Sequence, residues 1–302
     1  MKKEESFEDL VRKIDALGLW PAIQHCRWAV KPKGTAFPYF CETCLGDGKP
    51  VKVRLLMLEG WTSFLDYVQF VIDRANSFYT SPIELPHFEL IVMESGEFRL
   101  CRYDTGLSPR DADDQQKAFV KRILWEVYGV MLRVESDPSL AMRYAAERAV
   151  FARVETSDDH WEDIPLPVPP RPKTVDRVTV PKDEIRKAKD LPFLKEKTLH
   201  VNFALLMCVV TKEQRARNVY AFDAYDPAKG QRVFDWRVSI PPGGTLKGLW
   251  ESMPAQFVRS LNQLGYTPGE IKVMDPRVFR LLRSLCVELP FKLSLHDELE
   301  MG

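Results

Sequence analysis

No apolar run in this 302-residue chain approaches the ~20 residues that a membrane-spanning helix requires, so no helical span and no membrane partner are expected. Behind Lys2 and Lys3 come charged residues rather than an apolar core. The opening segment therefore does not read as a secretory leader, and we expect a cytoplasmic protein. Cysteine is scarce: Cys26, Cys41, Cys44, Cys101, Cys208 and Cys286 are irregularly spaced and read as reduced thiols packed like small apolar groups. A charge surplus is missing too, with 43 basic residues against 43 acidic ones. A chain devoted to gripping a phosphate backbone carries an excess of lysine and arginine, which makes nucleic acid the less favoured partner. Neither a GxGxxG, a P-loop nor a GxSxG pattern occurs, and the five histidines (His25, His87, His160, His200 and His296) show no HxxxH spacing.

What is present is ordinary globular material, 45% apolar and 28% charged. Its length suggests two domains at about 150 residues each. Charge is unevenly spread, with a net of −6 over residues 1–170, +4 over 171–197 and +2 over 198–302. The division we read is an α+β module over 1–155, a proline-rich and charged linker over 156–197, and an α/β module over 198–302.

In the first module Ser6 caps a helix whose apolar face is Phe7, Leu10, Val11, Ile14 and Leu17, with Gly18 as its stop. Residues 37–60 read as a strand, a Gly-Asp-Gly turn and a second strand. A helix over 61–78 follows, then a hairpin through Ser95-Gly96, a long helix over 111–135 and a further helix over 141–154. The pattern predicts an antiparallel sheet with helices. Prolines at 165, 167, 169, 170 and 172 then predict an extended polyproline spacer, and residues 182–190 a short solvated helix. Pro167–Pro170 also satisfies PxxP, a ligand pattern for aromatic grooves.

The second module reads as an apolar strand from Leu199, a hairpin of strands 218–225 and 231–240, a helix from Thr245 to Leu264, strand 270–274, a helix after Asp275-Pro276 and a last strand at 287–295. Three antiparallel strands, a helix, then strand, helix, strand resembles the ribonuclease H-like architecture. Residues 218–298 also resemble the C-terminal module of a bacterial family of two-module proteins classed as domains of unknown function. The features that carry this are the strand reaching Asp223, the turn with Gly230 and the segment GEIKVMDPRVFRLLRSL.

Ribonuclease H-like nucleases hold two divalent cations with carboxylates from the middle of the first strand and the end of the fourth. The resemblance thus implies Asp223 and Asp275 as metal ligands, with Asp297 as a third catalytic carboxylate and Mg²⁺ or Mn²⁺ as cofactor. Other roles compete. Asp275 precedes a proline as a helix N-cap does. Asp223 is placed to pair with Arg237 across the hairpin, and Asp235 has an equal claim as a strand carboxylate. Cys41 and Cys44 form a lone CxxC; zinc needs four ligands, and only His25 and Cys26 lie near enough in sequence to complete a set. Positions i and i+3 of a strand face opposite ways, which favours packing.

With no concentrated catalytic constellation, the leading reading is a non-catalytic binding protein with no cofactor, whose partner is another protein. The other reading is a divalent-metal-dependent nuclease or nucleic-acid-processing protein that uses the second module.

Overall fold

The computed structural model describes residues 5–24, 26–48, 50–74, 85–140, 149–158, 160–170, 179–211, 214–240, 246–296 and 298–299. Among them are seven α-helices and two mixed sheets. The chain divides into two compact units, one of Met1–Val68, Leu85–Asp104 and Pro109–Arg171, the other of Gln69–Glu84, Thr105–Ser108 and Pro172–Gly302.

The first unit begins with α1 (Phe7–Ala16), where the Ser6 hydroxyl accepts the Asp9 amide at 3.0 Å. This satisfies one of the four donors that a helix start leaves open. The short α2 (Trp20–Ile23) precedes β1 (Trp28–Lys31), and β2 (Tyr39–Gly48) turns into β3 (Val51–Glu59). After α3 (Gly60–Arg74) come β4 (His87–Met93), β5 (Phe98–Tyr103) and the two-residue β6 (Arg110–Asp111). The long α4 (Asp114–Ser136) opens on a capping box, in which Asp113 and Gln116 each take the other's backbone amide. β7 (Ala149–Ser157) and β8 (His160–Pro167) complete a sheet of order β6-β5-β4-β3-β2-β1-β7-β8. Trp28, Val30, Cys41, Leu55, Met57, Leu90 and Val92 point to one face and pack against Leu10, Ile14, Trp20, Ile123, Val127 and Val130.

Three expectations for this region are corrected. The sheet is mixed rather than antiparallel, because β7 runs parallel to β1, Trp28 lying opposite Phe151 and Val30 opposite Arg153. Residues 149–154 belong to that strand and not to a helix. Their local helix preference yields to hydrogen-bonded neighbours on both sides; residues 141–148 of the same expected helix lie outside the described residues. Residues 160–167 are an edge strand rather than a spacer. Pro165 and Pro167 sit in β8, opposite Phe151 and Ala149, and an outermost strand is where a missing N–H donor is tolerated.

The second unit contains α5 (Lys182–Lys189), the long β9 (Phe193–Thr211), β10 (Gln214–Asp226) and β11 (Gln231–Val238). There follow α6 (Leu246–Leu264), β12 (Thr267–Val273), α7 (Pro276–Arg283), a 3₁₀ turn at Ser284–Val287, and β13 (Lys292–Leu295). The sheet order is β11-β10-β9-β12-β13. β10 is antiparallel to both neighbours, whereas β9, β12 and β13 run parallel. Leu199, Val201, Phe203, Phe222, Ile271 and Val273 form one face, and Met253, Phe257, Leu261, Val278 and Leu282 of the helices pack on it. α5 belongs to this core too: Ala188 is buried in it, and the Asn262 amide donates to the Glu184 carbonyl and carboxylate. The solvated helix expected there is therefore a packed one. At Gly269 a side chain is excluded, since a Cβ would fall 1.9 Å from the Lys195 carbonyl oxygen where β12 bulges against β9.

Candidate binding face of the five-stranded sheet

Side chains alternate along a strand, so the residues between the core positions of β9, β12 and β13 share the opposite face. On β9 these are Thr198, His200 and Asn202, and on β12 they are Glu270 and Lys272. On β13 they are Lys292 and Ser294, with His296 just beyond. Ladder register turns them into a row, with His200 opposite Lys272 and Lys272 opposite Ser294. A cavity of about 410 Å³ opens there, lined by Thr198, His200, Lys272, His296 and Glu298, with Pro227 and Leu299 as apolar wall.

The polar groups of this face are linked in a definite way. The Ser294 hydroxyl donates to Glu270 Oε1 at 3.0 Å and lies 3.0 Å from His296 Nε2. Burial pushes the Glu270 carboxyl up, but hydrogen bonds from Ser294 and Lys292 outweigh it and hold the group below its ordinary range. Glu270 is then an ionised acceptor, and a serine hydroxyl has one hydrogen to give it. In the contact with His296 the ring Nε2 is then the donor and the Ser294 oxygen the acceptor. Lys272 Nζ lies 4.0 Å from Glu270 Oε2, beyond hydrogen-bond reach, and its side chain is 30% exposed. Asp226, fully buried, is occupied by Lys197 at 3.2 Å and by the Ala228 amide at 3.0 Å.

Asp223 lies on β10 opposite Asn202 and Asp235, on the same face. Its expected partner Arg237 instead forks onto Asp235 at 2.6 and 2.7 Å, because register sets Arg237 opposite Ala221. Arg237 holds the Asp235 carboxyl below its ordinary range. Asp223 is 5% exposed, and burial raises its carboxyl against the pull of Arg232, 3.6 Å away. Asp275 accepts the Arg277 amide at 2.7 Å and so caps α7. Burial raises it as well, opposed by Arg277, whose guanidinium stacks 4.2 Å from the Trp250 ring.

Asp223 and Asp275 are not brought together. β9 separates their strands by two ladder spacings, about 10 Å. Asp223 also faces away from the helices, while Asp275 turns into one. Asp297 and His25 lie outside the described residues. Among the described residues no three His, Cys, Asp or Glu side chains gather as metal ligands. Cys41 is buried in the first core, whereas Cys44 faces the other way, 3.5 Å from the Tyr67 hydroxyl. Burial raises both thiols.

The residues around the cavity were missed by motif reasoning, yet a signal existed. Thr198-Leu-His-Val-Asn202, Glu270-Ile-Lys-Val273 and Lys292-Leu-Ser-Leu-His296 all alternate polar with apolar. Such alternation marks strands with one face in a core and one that is not. Comparison with family models, with curated proteins and with solved structures finds no match to this chain.

Proposed function

We propose that this chain acts by binding and not by bond cleavage. The observation that carries the reading concerns the first strand of the second unit. A ribonuclease H-like reading of that unit rests on the order β11-β10-β9-β12-β13, in which β9 takes the place of the first strand and β12 of the fourth. The middle of β9 then carries His200 and Asn202 where the resemblance implies a metal-binding carboxylate. Asp223 sits one strand away, and Asp275 is committed to its helix cap. The partner class we favour is another protein. Supporting it, α4 of the first unit presents Trp125 and Leu132, each 37% exposed, with Tyr128 edge-on to Trp125. Aromatic side chains on a surface helix are the common anchors of protein interfaces.

Thermal melting of the full chain with and without millimolar Mn²⁺ tests the choice between binding and metal-dependent processing. The midpoint should not move, and single- and double-stranded nucleic acid should stay intact. A rise in midpoint together with cleavage, both lost in Asp275→Asn, would overturn the proposal. For the partner, a protein retained by the full chain and released by Trp125→Glu is expected. Equal retention by the variant removes α4 as the contact.

A further inference from the structure

The binding reading leaves open what the cavity on the five-stranded sheet takes, and the following rests on that reading. The geometry points to a small hydroxylated molecule that carries an oxyanion, a phosphate monoester or a carboxylate, with Lys272 as its charged anchor. Among the described residues the only carboxylate oxygen within 4.0 Å of the Lys272 ammonium is Glu270 Oε2, at that limit. Glu270 is otherwise engaged by Ser294 at 3.0 Å and Lys292 at 3.4 Å. Asp226, a buried carboxylate next to Pro227 in sequence, is held by Lys197. The ammonium has three hydrogens to donate and lines a cavity whose volume lies within the range of small-ligand sites. An oxyanion supplies the acceptors that the described residues do not.

The remaining lining argues against a bare anion. Thr198 brings a hydroxyl, His200 and His296 bring imidazoles, and Glu298 brings a carboxylate that would repel an oxyanion placed beside it. The Ser294–Glu270 link engages His296 through Nε2, which leaves Nδ1 as the ring nitrogen not used in that contact. The Glu298 carboxylate accepts hydrogen bonds, and hydroxyl groups are donors suited to it. Pro227 and Leu299 supply apolar surface for a carbon skeleton. One molecule with an oxyanion at one end and hydroxyls along its length meets Lys272, Glu298 and the apolar wall at once.

Isothermal titration calorimetry on the full chain tests this, with glucose 6-phosphate, gluconate and glucose as probes. Saturable one-to-one binding is expected for glucose 6-phosphate or gluconate, and whichever binds identifies the oxyanion. Glucose, which has the hydroxyls without the charge, should bind at least about tenfold more weakly, as should the charged probe to Lys272→Met, a charged hydrogen bond having been removed. Circular dichroism showing Lys272→Met folded makes that loss a loss of the anchor. No saturable binding by either charged probe, equal binding of glucose, or unchanged affinity in Lys272→Met would overturn the inference. None of these results touches binding at α4. Metal-dependent cleavage would end the binding reading, while the calorimetry still decides the role of Lys272.

Discussion

In the first unit, the face of the sheet opposite the main core carries a carboxylate, Glu89, which is 3% exposed. It is met by Arg54 at 3.1 Å and by the Tyr103 hydroxyl. Tyr103 in turn stacks on His87 with ring centroids 4.3 Å apart, and His87 Nδ1 donates to the Leu85 carbonyl at 2.7 Å. In the second unit, the corresponding face carries Lys272 with no hydrogen-bonded carboxylate among the described residues and a cavity beside it. A polar network whose members satisfy one another holds a structure in one arrangement. A polar face that stops short of satisfaction retains donors for something else. The contrast assigns structure to the first cluster and recognition to the second.

The comparison has a shared baseline that single substitutions should expose. Phe222→Ala removes a fully buried ring from the second core, and Trp28→Ala does the same in the first. Each should cost about 3–5 kcal/mol in urea unfolding, the largest effects we expect. A loss below about 1 kcal/mol at either site would mean that its sheet is not packed as described.

Next in size is Glu89→Ala. Removing one member of a buried charged contact strands the others, and since Arg54 is half-exposed the loss should be about 2 kcal/mol. Glu42, on the same face as Glu89, sharpens the point through pH. Burial pushes its carboxyl up to about 7 from an ordinary 4.5, against the pull of Arg27. Between these values the folded chain keeps a proton that the unfolded chain has released. The contribution is fully present at lower pH and falls by about 1.4 kcal/mol per unit as pH rises towards 7, then levels off. Denaturation midpoints of Glu42→Gln should lack that share of the decline. Parallel pH profiles for the two proteins would show Glu42 ionising normally.

Much of the second unit was legible in sequence because its signals are local. Gly230 takes a positive φ of 64° where the hairpin turns, and Asp275 caps the helix that Pro276 begins. β7 was not legible: its parallel partner β1 lies more than a hundred residues away, and nothing in residues 149–157 announces it. Prolines misled at β8 because a strand's position in the sheet decides whether a missing N–H matters. Asp223 drew attention as a carboxylate inside a strand and Asp275 as one at a strand end, but their separation depends on β9 passing between them, which only strand order reveals. The cavity residues carry no motif. Among the described residues Lys272 lacks the hydrogen-bonded carboxylate that Arg54 has, and such a lack is visible only in three dimensions.

The most direct test sets Lys272→Met beside Glu89→Ala in chemical denaturation at neutral pH, without added ligand. Our account predicts that Lys272→Met stays within about 0.5 kcal/mol of the parent, as a surface substitution does, while Glu89→Ala loses about 2 kcal/mol. Equal losses would make Lys272 a structural cation like Arg54, and would contradict the assignment of the second sheet's polar face to recognition.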